Sequence, residues 1–289
     1  MVASRREIAP QGLKNNPMLS TRLQTIAILL PLGLFVIYLG GIPYVVFIGI
    51  LLCLAAWEYV KLFRTGGLQP SGVLVVGGVA CLILGRTING LASESWLIVL
   101  AIFASMTYHL VAYERGRDQA GTDFGVSLAG ILYFGCLGSY LVSLRDLPEG
   151  TWWLLMVLSA IWLADGGAFF IGRAFGRHPL CPRLSPKKTW EGYLGGIVVG
   201  VVLEFGLAYA WRVLSGPGSA IQPWHGAVIG LVLAVFAPLG DLGESMVKRQ
   251  MGAKDSSNIF PGHGGSWDRM DSWLWAVAIG YYMIIWLFI

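Results

Sequence analysis

The chain has 289 residues, of which 56% are apolar and only 12% charged, and its net charge at neutral pH is +4. Soluble domains carry roughly 25% charged residues, so an ordinary soluble domain is excluded, and so small a net charge argues against a nucleic-acid partner. A mean hydropathy of +0.67 and apolar runs recurring from Thr25 to Ile289 describe an all-α polytopic membrane protein. Each run is long enough, or nearly so, to cross a bilayer core of ~30 Å.

Residues 1–22 are polar and basic, with Arg5, Arg6, Lys14 and Arg22. The apolar run that follows continues into Pro31 and Gly40 without a small-residue cleavage pattern, so it reads as an uncleaved first helix and not as a secretory signal. Apolar segments at roughly 23–40, 42–58, 71–86, 95–113, 124–144, 152–172, 192–212, 223–240 and 272–289 predict about nine transmembrane helices. A re-entrant hairpin is the alternative for the first two, which only Gly40 and Gly41 separate. Cys53, Cys81, Cys136 and Cys181 form no CxxC pair and read as small packing residues.

Lysine and arginine in the connections set the orientation. With the N-terminus in the cytoplasm, all of the 20 lysines and arginines except Arg86, Arg145 and Arg212 fall on the inner side. The chain then divides into a cytoplasmic N-terminal segment 1–22, N-terminal transmembrane helices 23–150, and a C-terminal region 151–289. The last carries two cytosolic loops, 173–191 and 241–271. Small residues recur every four positions on both sides of the first loop, at Ala164, Ala168, Gly172 and Gly176 and again at Gly192, Gly196 and Gly200. Such rows let membrane helices approach closely, and the pattern predicts tightly packed helices that hold the loop in place.

Segment 241–271 concentrates the acids and bases of a chain that is otherwise mostly hydrocarbon. Asp268 and Asp271, three apart at the entrance to the last helix, share a face, and Asp241 ends the preceding one. Oxygen donors without a cysteine cluster suit a hard cation such as Mg²⁺, which takes one or two carboxylates plus substrate phosphates. Lys248, Arg249, Lys254 and Arg269 stand around them, while Gly262, Gly264 and Gly265 permit close backbone approach. Carboxylates for a metal beside bases for phosphates are what phosphoryl or nucleotidyl transfer requires. The competing reading is a solvated loop of mixed charge. Asp165 and Glu204 are intramembrane acids and therefore functional candidates. A second cation or a lysine anchor suits Asp165, and a paired structural role suits Glu204. Trp190, Trp267 and Trp273 read as interface anchors.

The run Ser245-x-Val247-Lys248-Arg249, then Lys254-Asp255, Ser257, and Phe260-Pro261-x-His263-Gly264-Gly265-x-x-Asp268-Arg269-x-Asp271 resembles the signature of the phosphatidate cytidylyltransferase family. Ser266 departs from it, because the family normally has an aliphatic residue there. Asp165-Gly-Gly-Ala-Phe-Phe-x-Gly172-Arg173 and Ser185-Pro186-Lys187-Lys188-Thr189-Trp190-Glu191-Gly192 are similar to the family's other cytosolic stretch, with Gly166 where threonine is common. The likeness covers about 130 C-terminal residues in specific motifs; the N-terminal half matches only as hydrophobic helices. It implies CTP and phosphatidate as substrates, CDP-diacylglycerol and pyrophosphate as products, a Mg²⁺ requirement, and a site at the cytoplasmic face of a bacterial inner membrane. A homodimer is implied as well.

By spacing and likeness together, Asp241, Asp268 and Asp271 are metal ligands and catalytic, with Asp165 as a weaker metal candidate. Lys248 and Arg249 are further catalytic candidates. Ser185, Lys187, Lys188, Lys254, His263, Gly264, Gly265 and Arg269 are candidates for the phosphates of CTP, lipid or pyrophosphate. Two other functions remain open at this point, a CTP-dependent lipid kinase and a cation-coupled transporter using Asp165 and Glu204.

Overall fold

The computed structural model describes residues 17–257, 259 and 264–289; the predicted basic residues Arg5, Arg6 and Lys14 lie outside them. The first half is formed by α1 (Pro17–Leu39), α2 (Gly41–Thr65), α3 (Gly72–Asn89), α4 (Glu94–Glu114), α5 (Ala120–Gly130) and α6 (Tyr140–Asp146). The second half holds α7 (Gly150–Phe175), an antiparallel hairpin β1 (Pro179–Cys181) and β2 (Ser185–Thr189), α8 (Trp190–Ser215), α9 (Pro223–Phe236), α10 (Pro238–Gln250) and α11 (Trp267–Met283). Among the described residues, seven helical stretches are long and apolar enough to cross a membrane. The chain is thus a multi-pass membrane protein. The longest stretch, Gly72–Glu114, is two helices, because Gly90 takes φ +58° and lets α4 fold back on α3.

Local chemistry marks several helix starts. Ser71 accepts the Leu74 N–H at the head of α3, Thr189 accepts the Gly192 N–H at the head of α8, and Pro223 opens α9 where no N–H is needed. The small-residue rows of α7 and α8 face one another. A Cβ on Gly192 would sit 2.7 Å from the Ala168 carbonyl oxygen, and one on Gly196 would sit 2.7 Å from that of Ala164. Backbone-to-backbone contact of this kind stands in for hydrophobic burial inside a bilayer. Glu204 is fully buried on α8 and accepts a hydrogen bond from the Ser159 hydroxyl at 3.0 Å, the paired role expected for it.

Three expectations change. Segment 241–271 is not a loop at its ends: α10 continues to Gln250, and α11 begins at Trp267, so Asp268 and Asp271 lie inside the helix. Apolar periodicity cannot register α10, because its buried positions are Gly240, Glu244 and Lys248, a polar stripe at helical spacing. Segment 173–191 contains the β hairpin, where a plain loop was expected. Trp267 is no interface anchor but a buried residue, its ring 5.4 Å from both Tyr59 and Phe134.

Candidate active site

The packing of α7 on α8 brings the hairpin against α10, and there the two charged segments meet. Lys188, on β2, forms an ion pair with Asp241 in the first turn of α10. Asp165 on α7 lies within electrostatic reach of both. On the next turn of α10 comes Glu244, buried, and on the turn after it Lys248. The Lys248 ammonium lies 3.1 Å from Glu244 Oε1 and 2.7 Å from Asp268 Oδ1. Asp271, one turn further along α11, lies within reach of Glu244, Asp241 and Asp165.

The four aspartates are held very differently. Both oxygens of Asp268 are committed: Oδ1 accepts from Lys248, and Oδ2 accepts from the Ser256 N–H, the Ser256 hydroxyl and the Gly265 N–H at 2.7–3.0 Å. Glycine is required beside it, since Gly264 has φ +80° and a Cβ there would lie 2.5 Å from Asp268 Oδ2. Asp241 accepts from the Ser245 hydroxyl at 3.4 Å besides its ion pair with Lys188, and Asp271 accepts from the adjacent Ser272 N–H at 2.6 Å. No hydrogen-bond donor among the described residues reaches Glu244 Oε2.

Asp165, Asp268, Asp271 and Arg269 also line one end of a cavity of about 410 Å³. Its remaining wall is almost wholly apolar, from Leu30, Gly33 and Leu34 on α1, Phe47 and Leu51 on α2, and Leu158, Ile161 and Trp162 on α7. An apolar groove therefore ends on a cluster of five carboxylates, Asp165, Asp241, Glu244, Asp268 and Asp271. They outnumber the bases Lys188, Lys248 and Arg269. Such an excess calls for a cation, and the all-oxygen donor set suits a hard one. Among the described residues no three of these acids converge into a ready-made metal cage.

The other predicted site residues fall further out. Ser185 is half-buried and Lys187 exposed on β2, beside Lys188. Arg249 and Lys254 are exposed, and Arg249 donates to the Ala253 carbonyl; no recorded contact ties either to the cluster. His263 lies outside the described residues. Two members escaped the sequence reading. Glu244 stands three residues after Asp241 and four before Lys248, a spacing that would have placed it on their face had the segment been read as helix. Glu58, on α2, is a carboxylate at the end of an apolar run, which is itself a functional signal.

The sequence matches the cytidylyltransferase family across residues 20–288. The chain belongs to that family. It is 35% identical to the phosphatidate cytidylyltransferase of Pseudomonas aeruginosa over 266 residues, covering 91% of this chain and 95% of the relative. Identity to the phosphatidate cytidylyltransferase of Staphylococcus saprophyticus is 30%, with 90% and 97% covered. For that of Bacillus subtilis it is 31%, with 87% and 92% covered. Cytidylyltransferase similarity thus runs through the N-terminal half as well, where the motifs of the sequence had offered little. That half supplies α1 and α2, one wall of the groove.

Proposed function

We propose that this enzyme joins CTP and phosphatidate to give CDP-diacylglycerol and pyrophosphate, with the carboxylate cluster at the end of the apolar groove as its reaction centre. The observation that carries the proposal is the groove itself. One substrate of this reaction is a lipid with a phosphate head, and the groove offers hydrocarbon along its length and charge at its end. The names of the relatives supply the reaction class, which is a transfer in phospholipid biosynthesis. Membership of this family also argues against the transporter reading.

Near pH 7 a phosphomonoester with a second pKa of about 6 is already largely a dianion. Its oxygen attacks the α-phosphorus of CTP and forms the new P–O bond. The bond from the α-phosphorus to the oxygen that bridges it to the β-phosphorus breaks, and pyrophosphate leaves with the electron pair. No proton has to be removed from the nucleophile, so the reaction needs no Ser–His or Cys–His pair. What the protein must supply is alignment and relief of charge. Lys188 and Arg269 stand where phosphates would approach the acids, and the exposed Lys187, Arg249 and Lys254 draw the nucleotide in from solvent. Asp268, fully engaged, orients Lys248 and the start of α11.

Asp165, Asp241 and Asp271 would hold Mg²⁺, Asp241 by exchanging its Lys188 ion pair for the metal. Asp268, expected from the sequence as a ligand, has both oxygens taken by protein donors and is left out of the set. When bound, Mg²⁺ withdraws charge from the phosphate oxygens. In this reading the cluster lies on the cytosolic side of a bacterial inner membrane, where CTP is available; the lysine and arginine bias supports that side. Asp271→Asn tests the assignment. It should lower CDP-diacylglycerol synthesis by about 100-fold or more while the purified protein stays monodisperse, because one anchoring charge at the reaction centre is lost. Synthesis at the wild-type rate would remove the cluster from the chemistry.

A further inference from the structure

We infer that Glu58, in the N-terminal half of the chain, is a positioning residue that sets the geometry of the reaction centre by clamping residues 256–257 to residues 266–267 at the start of α11. The inference rests on the assignment of the Asp268–Asp271 cluster as the reaction centre. Glu58 is completely buried. Four donors reach its carboxylate, two on each oxygen. Oε1 accepts from the Ser257 hydroxyl at 2.6 Å and the Ser266 N–H at 2.9 Å. Oε2 accepts from the Ser256 hydroxyl at 3.0 Å and the Trp267 N–H at 2.9 Å.

None of these donors is a lysine or an arginine. The charge is met by two hydroxyls and by N–H groups at the start of α11, which have no partner within their own helix. Glu58 thus ties residues 256–257 and residues 266–267 together on α2. The Ser266 hydroxyl adds a second tie, donating to the Leu51 carbonyl at 2.8 Å. The serine that departs from the family pattern therefore fastens this chain's α11 to α2. Gly265 leaves the space that the clamp needs, because a Cβ there would lie 2.3 Å from Glu58 Oε2.

The link to the chemistry is short. Ser256 has a single hydroxyl hydrogen, and two carboxylates compete for it, Glu58 Oε2 at 3.0 Å and Asp268 Oδ2 at 2.8 Å. Trp267 immediately precedes Asp268, and Asp271 follows one turn later at the end of the groove. If the first turn of α11 moves, Asp268, Lys248 and Asp271 move with it. A misplacement near 1 Å costs about 100-fold in rate when alignment is the main contribution.

Glu58→Gln keeps the shape but not the function. Its amide oxygen can serve one pair of donors, while its NH₂ group faces the other; the serine hydroxyl of that pair can turn and accept, but the backbone N–H is left donor against donor. The experiment compares wild type, Glu58→Gln and Ser257→Ala, purified in detergent. It follows kcat, the KM for CTP and for phosphatidate, thermal stability, and the rate of tryptic cleavage after the exposed Lys254, two residues before the tie at Ser256. Glu58→Gln should lose about 100-fold in kcat and be cleaved after Lys254 several times faster, with far smaller changes in the phosphatidate KM. Ser257→Ala, which removes one donor and leaves the fold, should show both changes to a smaller degree. Wild-type kcat and cleavage in both variants would overturn the inference. So would a loss of activity in step with loss of folded protein and without selective cleavage after Lys254. If wild type itself made no CDP-diacylglycerol, the reaction assignment would fail, and faster cleavage after Lys254 would still report the clamp.

Discussion

Replacing Lys248 by methionine removes one ammonium and keeps most of its stem. The residue is 9% exposed, and its Nζ lies 2.7 Å from Asp268 Oδ1 and 3.1 Å from Glu244 Oε1. At an effective dielectric of about 20, each contact corresponds to roughly 5–6 kcal/mol of attraction before desolvation. Burial of the ammonium offsets much of that. Removing one partner of a buried pair has a net cost of about 3–5 kcal/mol, because the remaining charge is left without compensation. Here two carboxylates are left, so Lys248→Met should lose about 3–5 kcal/mol in denaturant unfolding followed in detergent. Adding Glu244→Gln removes one of the stranded charges and should restore a large part of the loss. A Lys248→Met protein within about 1 kcal/mol of wild type, the range of a surface pair, would refute the view that Lys248 is the structural cation of the cluster.

Three further outcomes are expected. Stripping divalent ions should abolish synthesis and Mg²⁺ should restore it, with Asp241→Asn needing a higher Mg²⁺ concentration for half-maximal rate, read from a metal titration. Gly196→Val drives a side chain into the Ala164 carbonyl and should destabilise the protein by about 1–3 kcal/mol or more through overpacking, measured as lower thermal stability in detergent. Gly33→Phe projects a ring into the groove, where nothing lies within 4 Å of the Cβ position. It should shift preference toward short-chain phosphatidate in a competition assay, with CTP affinity unchanged.

Much of this architecture is legible in the chain. Runs of hydrocarbon give the helices, and the spacing of Ala164, Ala168 and Gly172 against Gly192 and Gly196 gives the α7–α8 contact. The acid and base content of 173–191 and 241–271 points to two halves of one site, and the Lys188–Asp241 ion pair joins them. What stays hidden follows a physical rule. Hydrophobic periodicity reports apolar faces, and α10 buries a polar one, so its helix and Glu244 go unseen. Spacing also cannot separate carboxylates that are engaged from those that are open. Asp268 and Asp271 look equivalent in sequence and both line the groove, yet the oxygens of Asp268 accept four bonds from Lys248, Ser256 and Gly265, while Asp271 accepts from its neighbour Ser272. The role of Glu58 is hidden for a third reason, since its four donors lie some two hundred positions further along the chain.

The central claim is that the nucleotidyl group, and not the terminal phosphate, passes to the lipid. Purified enzyme given phosphatidate, Mg²⁺ and CTP labelled separately at the α- and γ-phosphorus tests this directly. The account predicts that α-label enters the lipid fraction as CDP-diacylglycerol and that γ-label is released as pyrophosphate in equal amount. Transfer of γ-label to lipid, with CDP left in solution, would contradict it.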